Sequence, residues 1–263
     1  MAKETKKPEG AAPPAGAIAT YDWQQSEVSG FEATRQEDLG IPFLSILQSL
    51  SPQIKKTDPN YETMKIDGAG EGDIINSLTN TVLYTQGRDP IKFIPCYHER
   101  LFVEWKPREA GGGLVKMHRN ASILNECRRN ERNQDVMKNG NNVVTTSYFY
   151  GILLTVDGPQ PAVIGMSSTK ISHARDWLNQ MMAIKLSGPN GRFTPPMFSH
   201  IYSLSTTGES NTKGSWYGWN IQVLGQLNDQ ALIEKAVKMA TDSAAQARAG
   251  LPPASDKTEV PFV

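Results

Sequence analysis

The chain has 263 residues and no net charge, because 27 Lys and Arg residues balance 27 Asp and Glu residues. This balance excludes a cationic surface spread over the whole molecule, so any attraction to nucleic acid has to come from one basic segment. No apolar run approaches the ~20 residues of a membrane-spanning helix, and the first ten residues lack the apolar core of a signal peptide. Cys96 and Cys127 have no CxxC spacing, which predicts a reducing, cytoplasmic location.

The two ends of the chain are predicted to lie outside the folded domain. Residues 1–20 are rich in Lys, Pro, Ala and Gly, which is typical of a disordered arm. Residues 21–40 carry five acidic residues against one basic residue, a net charge of −4. Residues 251–263 read as a flexible, Pro-containing tail with an apolar tip.

Three segments have the apolar spacing of amphipathic helices. In residues 41–56, Pro42 suits a first helical turn and apolar residues recur at helical spacing from Phe43 to Leu50. Core packing is the favoured role of this face, and self-association is the alternative. A second helix is predicted over 169–186 and an Ala-rich third over Leu232–Arg248. The apolar stripe of the second helix consists of Ile171, Ala174, Leu178, Met181 and Lys185, broadened by Trp177 and Met182.

The remaining apolar segments read as strands. Ile74–Asn76 and Val82–Tyr84 are predicted to form a first hairpin, and longer strands are predicted at 90–105, 143–157, 162–167, 197–206 and 215–227. In the first long strand, Pro95 indicates a bulge or an edge position. The last two form a long hairpin, whose second strand is predicted to place Tyr217, Trp219, Ile221 and Val223 in the core and Trp216, Asn220 and Gln222 on the opposite face.

The order of the long elements is β-β-β-α-β-β, which is the order of an OB barrel. The predicted fold is therefore mainly β: a five-stranded OB-like barrel with an inter-strand helix, flanking N-terminal and C-terminal helices, and disordered ends. The OB-like domain is predicted to span 21–227 with a basic insertion at 106–142, followed by a C-terminal helix at 228–250. OB folds bind oligonucleotides or oligosaccharides on one barrel face and its adjoining loops.

The basic insertion is the strongest functional signal. From Lys116 to Lys138 it has six basic and three acidic residues, a net charge of +3. Cationic grooves with aromatic platforms bind single strands, and each stacked base contributes ~1–3 kcal/mol. We therefore predict sequence-nonspecific binding of single-stranded DNA; the alternative is that the rings are core residues and the cations a solvated surface. The predicted contact residues are Arg100, Phe102, Trp105, Lys106, Arg108, Lys116, Arg119, Arg128, Arg129, Arg132, Tyr148, Tyr150, Lys213 and Trp216.

Catalysis and metal binding are less favoured by the sequence. Four residues, Cys96, His98, His118 and Cys127, would suit zinc, but their spacing matches no common zinc module and Cys96 and His98 would share one strand face. No P-loop, dinucleotide-binding glycine fingerprint, G-x-S-x-G or H-E-x-x-H motif is present. We predict a protein that is not an enzyme and needs no cofactor or metal.

Three segments together resemble single-stranded DNA-binding proteins of tailed bacteriophages. They are PFLSILQSLSPQ (42–53), the strand ending VEW with the Gly-rich basic segment after it (103–116), and SHIYSL…GSWYGWNIQVLGQL (199–227). The resemblance covers most of residues 40–227. It implies a protein of the host cytoplasm that coats and protects single-stranded DNA during phage replication, recombination and repair.

The C-terminal tip resembles the D-D-[IV]-P-F end of bacterial single-stranded DNA-binding proteins, with Val260, Pro261 and Phe262 at matching positions. This resemblance implies docking of replication or recombination proteins on the tail. The tip departs from the pattern because Val263 follows the phenylalanine and only two acidic residues precede it, with Lys257 between them.

Two other functions fit the same residues: a phage protein-interaction or assembly module, and an annealing protein of recombination. A homo-oligomer is compatible with each, and no membrane partner is expected.

Overall fold

A computed structural model describes residues 41–212 and 214–249, apart from the side chain of Arg108. The predicted arm 1–20, the acidic segment 21–40 and the tail 251–263 lie outside these residues. The described strands are β1 (Phe43–Ile46), β2 (Ile74–Asn76), β3 (Thr81–Tyr84), β4 (Ile91–Trp105), β5 (Leu114–His118), β6 (Cys127–Arg129), β7 (Asp135–Met137), β8 (Asn142–Thr155), β9 (Gly158–Ser167), β10 (Leu186–Gly188), β11 (Gly191–Phe193), β12 (His200–Asn211) and β13 (Gly214–Gln226). The described α-helices are α1 (Tyr61–Met64), α2 (Ile171–Ala183) and α3 (Gln230–Arg248).

Eleven of the described strands form one sheet, which is curled into a half-barrel. Its main path runs β13-β12-β4-β8-β9-β1-β2-β3, while β5 pairs with β4, β7 pairs with β8 and β6 pairs with β7. The mainly β class is confirmed, but the five-stranded OB barrel is wrong. The barrel prediction failed because segments read as loops or as a helix supply further strands that extend the sheet on both sides of β4 and β8.

The ladder between β4 and β8 contains a bulge, which is one of the two features that Pro95 indicated in the sequence. The register shifts between Pro95 and Tyr97, so that Cys96 has no partner on β8. Proline has no N–H to donate to a ladder, which makes this the natural place for an unpaired residue. Gly151 lies opposite Pro95, and a Cβ added there would come within 2.3 Å of the Ile94 carbonyl oxygen.

The bulge shifts the alternation of side chains along β4. Before it, Phe93 packs on the face that carries Phe149; after it, His98 occupies that face, with its ring centroid 4.8 Å from that of Phe149. The opposite face therefore carries Ile94 before the bulge and Tyr97 after it. Strict alternation from the sequence assigns the wrong face to every residue on one side of the bulge.

The main core lies between this ladder and α2. Ala174, Trp177 and Met181 are buried, and their spacing of three and four residues places them on one stripe of the helix. The predicted helix is confirmed, although Met182 is 64% exposed and lies outside the stripe. The Trp177 ring centroid lies 4.5 Å from that of Phe149, 5.5 Å from that of Tyr202 and 6.1 Å from that of Phe93.

Helix α3 covers the other face of the sheet. Asp229 caps its N-terminus by accepting a hydrogen bond from the Leu232 N–H at 3.0 Å. Ala236 is fully buried against the cluster that contains Ile94 and Ile152. The predicted C-terminal helix is therefore confirmed. None of the helices in the described part of the chain is long and apolar enough to cross a membrane.

The helix predicted in residues 41–56 is wrong, because Phe43 and Ile46 belong to the strand β1 and Leu47 and Leu50 follow it outside any helix. All four residues of this strand are buried, and β1 pairs antiparallel with β2 and parallel with β9. A strand with neighbours on both sides and both faces covered reads as a continuous apolar run, so its sequence lacks the alternation of a half-exposed strand.

Side chains join the two sides of the curled sheet. The amide of Gln48, two residues after β1, donates to the Tyr217 carbonyl oxygen at 2.9 Å and accepts from the Tyr217 N–H at 2.9 Å. The Thr206 hydroxyl donates to the Gly72 carbonyl oxygen at 2.7 Å. These contacts connect the β1–β2 side of the half-barrel to β12 and β13.

Candidate nucleic-acid interface

The basic insertion 106–142 is an ordered part of the sheet. It contains β5, β6 and β7 and a 3₁₀ helix at Ala121–Glu126. Ile123 from this helix packs against Phe102 and Val143, so the insertion has a small apolar cluster of its own. Its cations therefore project from a fixed scaffold.

A buried carboxylate fastens the insertion to β4. Glu104 is 5% exposed and accepts hydrogen bonds from Asn139 and Asn141, and its Oε2 lies 3.0 Å from the His118 Nε2. Burial by itself would raise the pKa of Glu104, but the contacts with Asn141, His118 and Asn139 outweigh it and hold the pKa below its ordinary value. The charged form of Glu104 is thus the form that the insertion stabilises.

A second carboxylate ties β4 to the end of β5. Glu99 accepts a hydrogen bond from the Tyr150 hydroxyl at 3.0 Å and one from the Arg119 Nε at 3.3 Å. Burial, followed by the nearby Glu99 charge, raises the pKa of the Tyr150 hydroxyl, so this phenol stays protonated as a donor. Arg119 is half-buried and forms an ion pair with Glu99. We therefore do not count it among the solvent-facing cations of the insertion.

The remaining cations of the insertion divide into paired and unpaired groups. Arg129 pairs with Asp135 at 3.2 Å and also donates to Asn133. Four cations between residues 116 and 138 are exposed, and their side chains have no hydrogen bond or ion pair among the described residues. Two acidic residues of this segment, Glu126 and Glu131, are also exposed, so the exposed, unpaired side chains carry a net charge of +2. The unpaired cations are Lys116, Arg128, Arg132 and Lys138. Arg100 on β4 and Lys106, the residue after β4, are also exposed.

The aromatic residues predicted as stacking platforms are mostly in the core. Phe102, Trp105, Tyr148 and Tyr150 are between 5% and 7% exposed and belong to apolar clusters around β4 and β8. The expectation that their faces are open to unpaired bases is therefore wrong. Phe102 is covered by Ile123 and Val143, and the other three rings lie in a cluster with Phe43 and Val163. All four rings pack in the core, and the Tyr150 hydroxyl also donates a hydrogen bond to Glu99.

Trp216 on β13 is the predicted ring that remains half-exposed. Its indole Nε1 donates to the Glu209 Oε2 at 2.8 Å, and the other oxygen of Glu209 lies 2.7 Å from the His173 Nε2 on α2. A Cβ at Gly218 would come within 2.6 Å of His173, so glycine is needed for this arrangement. The tip of the hairpin is therefore tied to α2 through a carboxylate.

The strand prediction for this hairpin holds with one exception. Trp219 is buried and Tyr217 and Ile221 pack against the main core, as alternation indicated. Val223 is 42% exposed and lies outside the core. Of the other predicted contact residues, the side chain of Arg108, the whole of Lys213, and Val260, Pro261 and Phe262 lie outside the described part of the chain.

The residues considered as zinc ligands are not brought together. The bulge places Cys96 in the cluster under α3 and His98 on the opposite face, which corrects the prediction that they share a face. Burial raises the pKa of Cys96 to about 12, and burial together with Arg100 lowers the pKa of His98 to about 4. Within the described residues, no group of three His, Cys, Asp or Glu side chains can hold a metal ion.

The residues that organise this region were not selected from the sequence. Glu99 and Glu104 fix the insertion, and Gln48 joins the two sides of the sheet. The sequence did contain a signal for them, because two acidic residues lie inside a long, largely apolar strand. A buried carboxylate requires hydrogen-bond donors nearby, so these residues could have been predicted to organise their surroundings.

A family model described as Pam3 phage gp34-like protein matches residues 9–249. No curated protein and no solved structure matches the chain. Because the match extends over most of the sequence, the chain belongs to the Pam3 phage gp34-like family.

Proposed function

We propose that this Pam3 phage gp34-like protein is a sequence-nonspecific single-stranded DNA-binding protein that coats DNA during phage replication, recombination and repair. The proposal rests on one observation above all: four exposed cations of the ordered insertion, Lys116, Arg128, Arg132 and Lys138, have no partner among the described residues. Unpaired Lys and Arg side chains on a fixed surface are suited to phosphates, which carry no sequence information.

The contacts around these cations support the electrostatic part of the proposal. Asp135 and Glu99 are each already paired with an arginine, so fewer free carboxylates remain to repel a phosphate backbone. Binding by phosphate contacts releases counterions, and the affinity should therefore fall steeply as the salt concentration rises.

Base stacking has a smaller part in this proposal than the sequence suggested. Four of the five predicted rings are buried, and Trp216 is the half-exposed ring among them. We therefore assign most of the binding free energy to phosphate contacts, and we expect weak discrimination among bases.

The first test is fluorescence anisotropy of labelled oligo(dT), oligo(rU) and duplex DNA of equal length at two salt concentrations. We expect oligo(dT) to bind at low salt, to bind less tightly at high salt, and to bind more tightly than the duplex. Absence of oligo(dT) binding at low salt would end the proposal, and stronger binding of the duplex would favour an annealing protein.

The proposal includes a partner-docking role for the C-terminal tail, residues 251–263. Its acidic residues, Asp256 and Glu259, would compete with DNA for the cations, whereas its apolar tip would contact replication or recombination proteins. Deleting the tail should leave the DNA affinity unchanged or raise it. A lower affinity after the deletion would argue against competition by the tail.

The second candidate is a phage protein-interaction or assembly module without DNA binding. It is compatible with the burial of Phe102, Trp105, Tyr148 and Tyr150, which withdraws these four rings from base stacking. Sedimentation with and without oligo(dT) separates the two functions, since the module would sediment identically in both samples.

A further inference from the structure

One buried carboxylate connects two exposed lysines of the insertion. Lys116 on β5 is registered opposite Glu104 on β4, and opposed residues of an antiparallel pair point to the same face of the sheet. Lys138 directly precedes Asn139, whose side-chain amide donates to the Glu104 Oε1 at 3.4 Å. The two lysines therefore flank one carboxylate, Lys116 from a strand and Lys138 from a turn.

Lys138 lies on the tight turn between β7 and β8. The Met137 N–H donates to the Asn141 carbonyl oxygen at 2.8 Å, which closes the turn. Two side chains reach from the turn to β4, those of Asn139 and Asn141, and both donate to the Glu104 Oε1. The carboxylate therefore fastens the turn that carries Lys138 to the strand opposite Lys116.

The charge of Glu104 is satisfied inside the protein. Its Oε1 accepts from the two amides of the turn, and its Oε2 lies 3.0 Å from the His118 Nε2. Lys116 and Lys138 are exposed and, in the part of the chain that the structure describes, form no ion pair with this carboxylate. The two ammonium groups therefore stay available to an anion from solution, while the carboxylate holds the turn.

We propose that Glu104 is a positioning residue for DNA binding. Through Asn139 and Asn141 it holds the turn of Lys138 beside Lys116, so that both ammonium groups meet the phosphate backbone of one single strand. The inference rests on the proposed function, because it concerns the phosphate contacts of the insertion. A group that is already held in place loses less conformational entropy on binding, so fastening the turn strengthens the phosphate contact of Lys138.

The first test removes the attachment of the turn without changing any charge. Asn139→Ala/Asn141→Ala deletes both amides that reach Glu104, whereas Asn125→Ala deletes an exposed amide of the same insertion. Fluorescence anisotropy of labelled oligo(dT) gives the salt slope, which is the slope of log affinity against log salt concentration. The double variant should bind less tightly, with a salt slope smaller by about 0.7, the share of one phosphate contact on a single strand. Asn125→Ala should keep the wild-type affinity and slope.

A double-mutant cycle separates positioning from a general loss of structure. In the wild-type background, Lys138→Ala and Lys116→Ala should each lower the salt slope by about 0.7. In the Asn139→Ala/Asn141→Ala background, Lys138→Ala should add almost nothing, because its phosphate contact is already lost. Lys116→Ala should keep its full effect there, because β5 holds this lysine without the turn. Circular dichroism and thermal unfolding verify that each variant is folded.

The carboxylate itself gives a test in which charge and positioning predict opposite results. Glu104→Gln and Glu126→Gln each remove one negative charge from the region of the insertion, and charge alone predicts that both bind DNA more tightly. An amide oxygen is a weaker acceptor than a carboxylate, so Glu104→Gln should loosen the turn and lower the affinity for oligo(dT). Glu126→Gln, on an exposed position, should leave the affinity unchanged or raise it.

The outcomes that overturn the inference differ from the one that ends the proposed function. If wild type binds oligo(dT), the inference is overturned by a Glu104→Gln variant that binds more tightly than wild type. It is equally overturned if Lys138→Ala lowers the salt slope by the same amount in both backgrounds. Absence of oligo(dT) binding by wild type at low salt would instead end the proposed function, and this inference with it.

Discussion

The two halves of the β4–β8 ladder are stabilised in different ways. In the half before the bulge, Phe93 and Ile94 are fully buried on opposite faces, beneath α2 and α3 respectively. In the half after the bulge, Leu101 and Val103 are equally buried, but the carboxylates of Glu99 and Glu104 lie among them with their own donors. Apolar burial therefore accounts for the stability of the first half. The stability of the second half also depends on charged side chains and should change with pH.

The largest effect is expected from truncating the ring at the centre of the first half. Trp177→Ala removes contacts with Phe149, Tyr202 and Phe93 and should lower the free energy of unfolding by about 3–5 kcal/mol. Urea unfolding followed by circular dichroism measures the change. Met182→Ala, on an exposed position of the same helix, should change stability by less than about 0.5 kcal/mol. Equal losses in the two variants would contradict the assignment of the core.

A smaller loss is expected where the two halves meet. In Gly151→Ala the new Cβ would lie 2.3 Å from the Ile94 carbonyl oxygen and 2.4 Å from the Phe93 ring, so the bulge must shift, at a cost of about 1–3 kcal/mol. Gly165→Ala is the matched control, because its Cβ would meet no atom closer than 3.4 Å. Thermal or urea unfolding should give a lower midpoint for Gly151→Ala than for Gly165→Ala. Equal midpoints would mean that the bulge can shift without loss of stability.

The second half should lose stability in acid. Because the folded-state pKa of Glu104 lies below its ordinary value of about 4.3, its contribution is complete above that pH and is lost as the pH falls through the folded-state pKa. Glu104→Gln should lower stability at neutral pH by about 1–3 kcal/mol, and the difference from wild type should shrink below about pH 4.

Unfolding curves measured from neutral pH into acid test this expectation, with Glu126→Gln as a control on an exposed position of the insertion. A difference between Glu104→Gln and wild type that is constant across the whole range would mean that the charge of Glu104 does not matter.

The elements that the sequence predicted correctly are those with a local signal. The 3–4 spacing of Ala174, Trp177 and Met181 identified α2. The missing N–H of Pro95 indicated a bulge or an edge position, and the structure has the bulge. The last hairpin was evident from two strand-like runs around a Gly- and Asn-containing turn.

The errors concern contacts between residues far apart in the chain. Phe43 and Ile46 read as one face of a helix because β1 is buried on both faces, and its parallel pairing with β9 joins residues about 120 positions apart. Cys96 and His98 were predicted to share one face of β4 but lie on opposite faces, because one unpaired residue changes the alternation of a strand. Tyr148 and Tyr150 are buried in a cluster with Phe43 of β1 and Val163 of β9, and no local pattern encodes that these strands lie beside β8.

The most direct test of the proposed function is the salt dependence of oligo(dT) affinity in two matched variants. One replaces the unpaired cations Lys116, Arg128, Arg132 and Lys138 of the insertion with Ala; the other replaces four exposed cations elsewhere, Lys56, Arg175, Arg192 and Lys235. With about 0.7 counterions released per phosphate contact on a single strand, the insertion variant should lose up to about 2.8 from the slope of log affinity against log salt concentration, while the control keeps the wild-type slope. Equal slopes in the two variants would contradict the account.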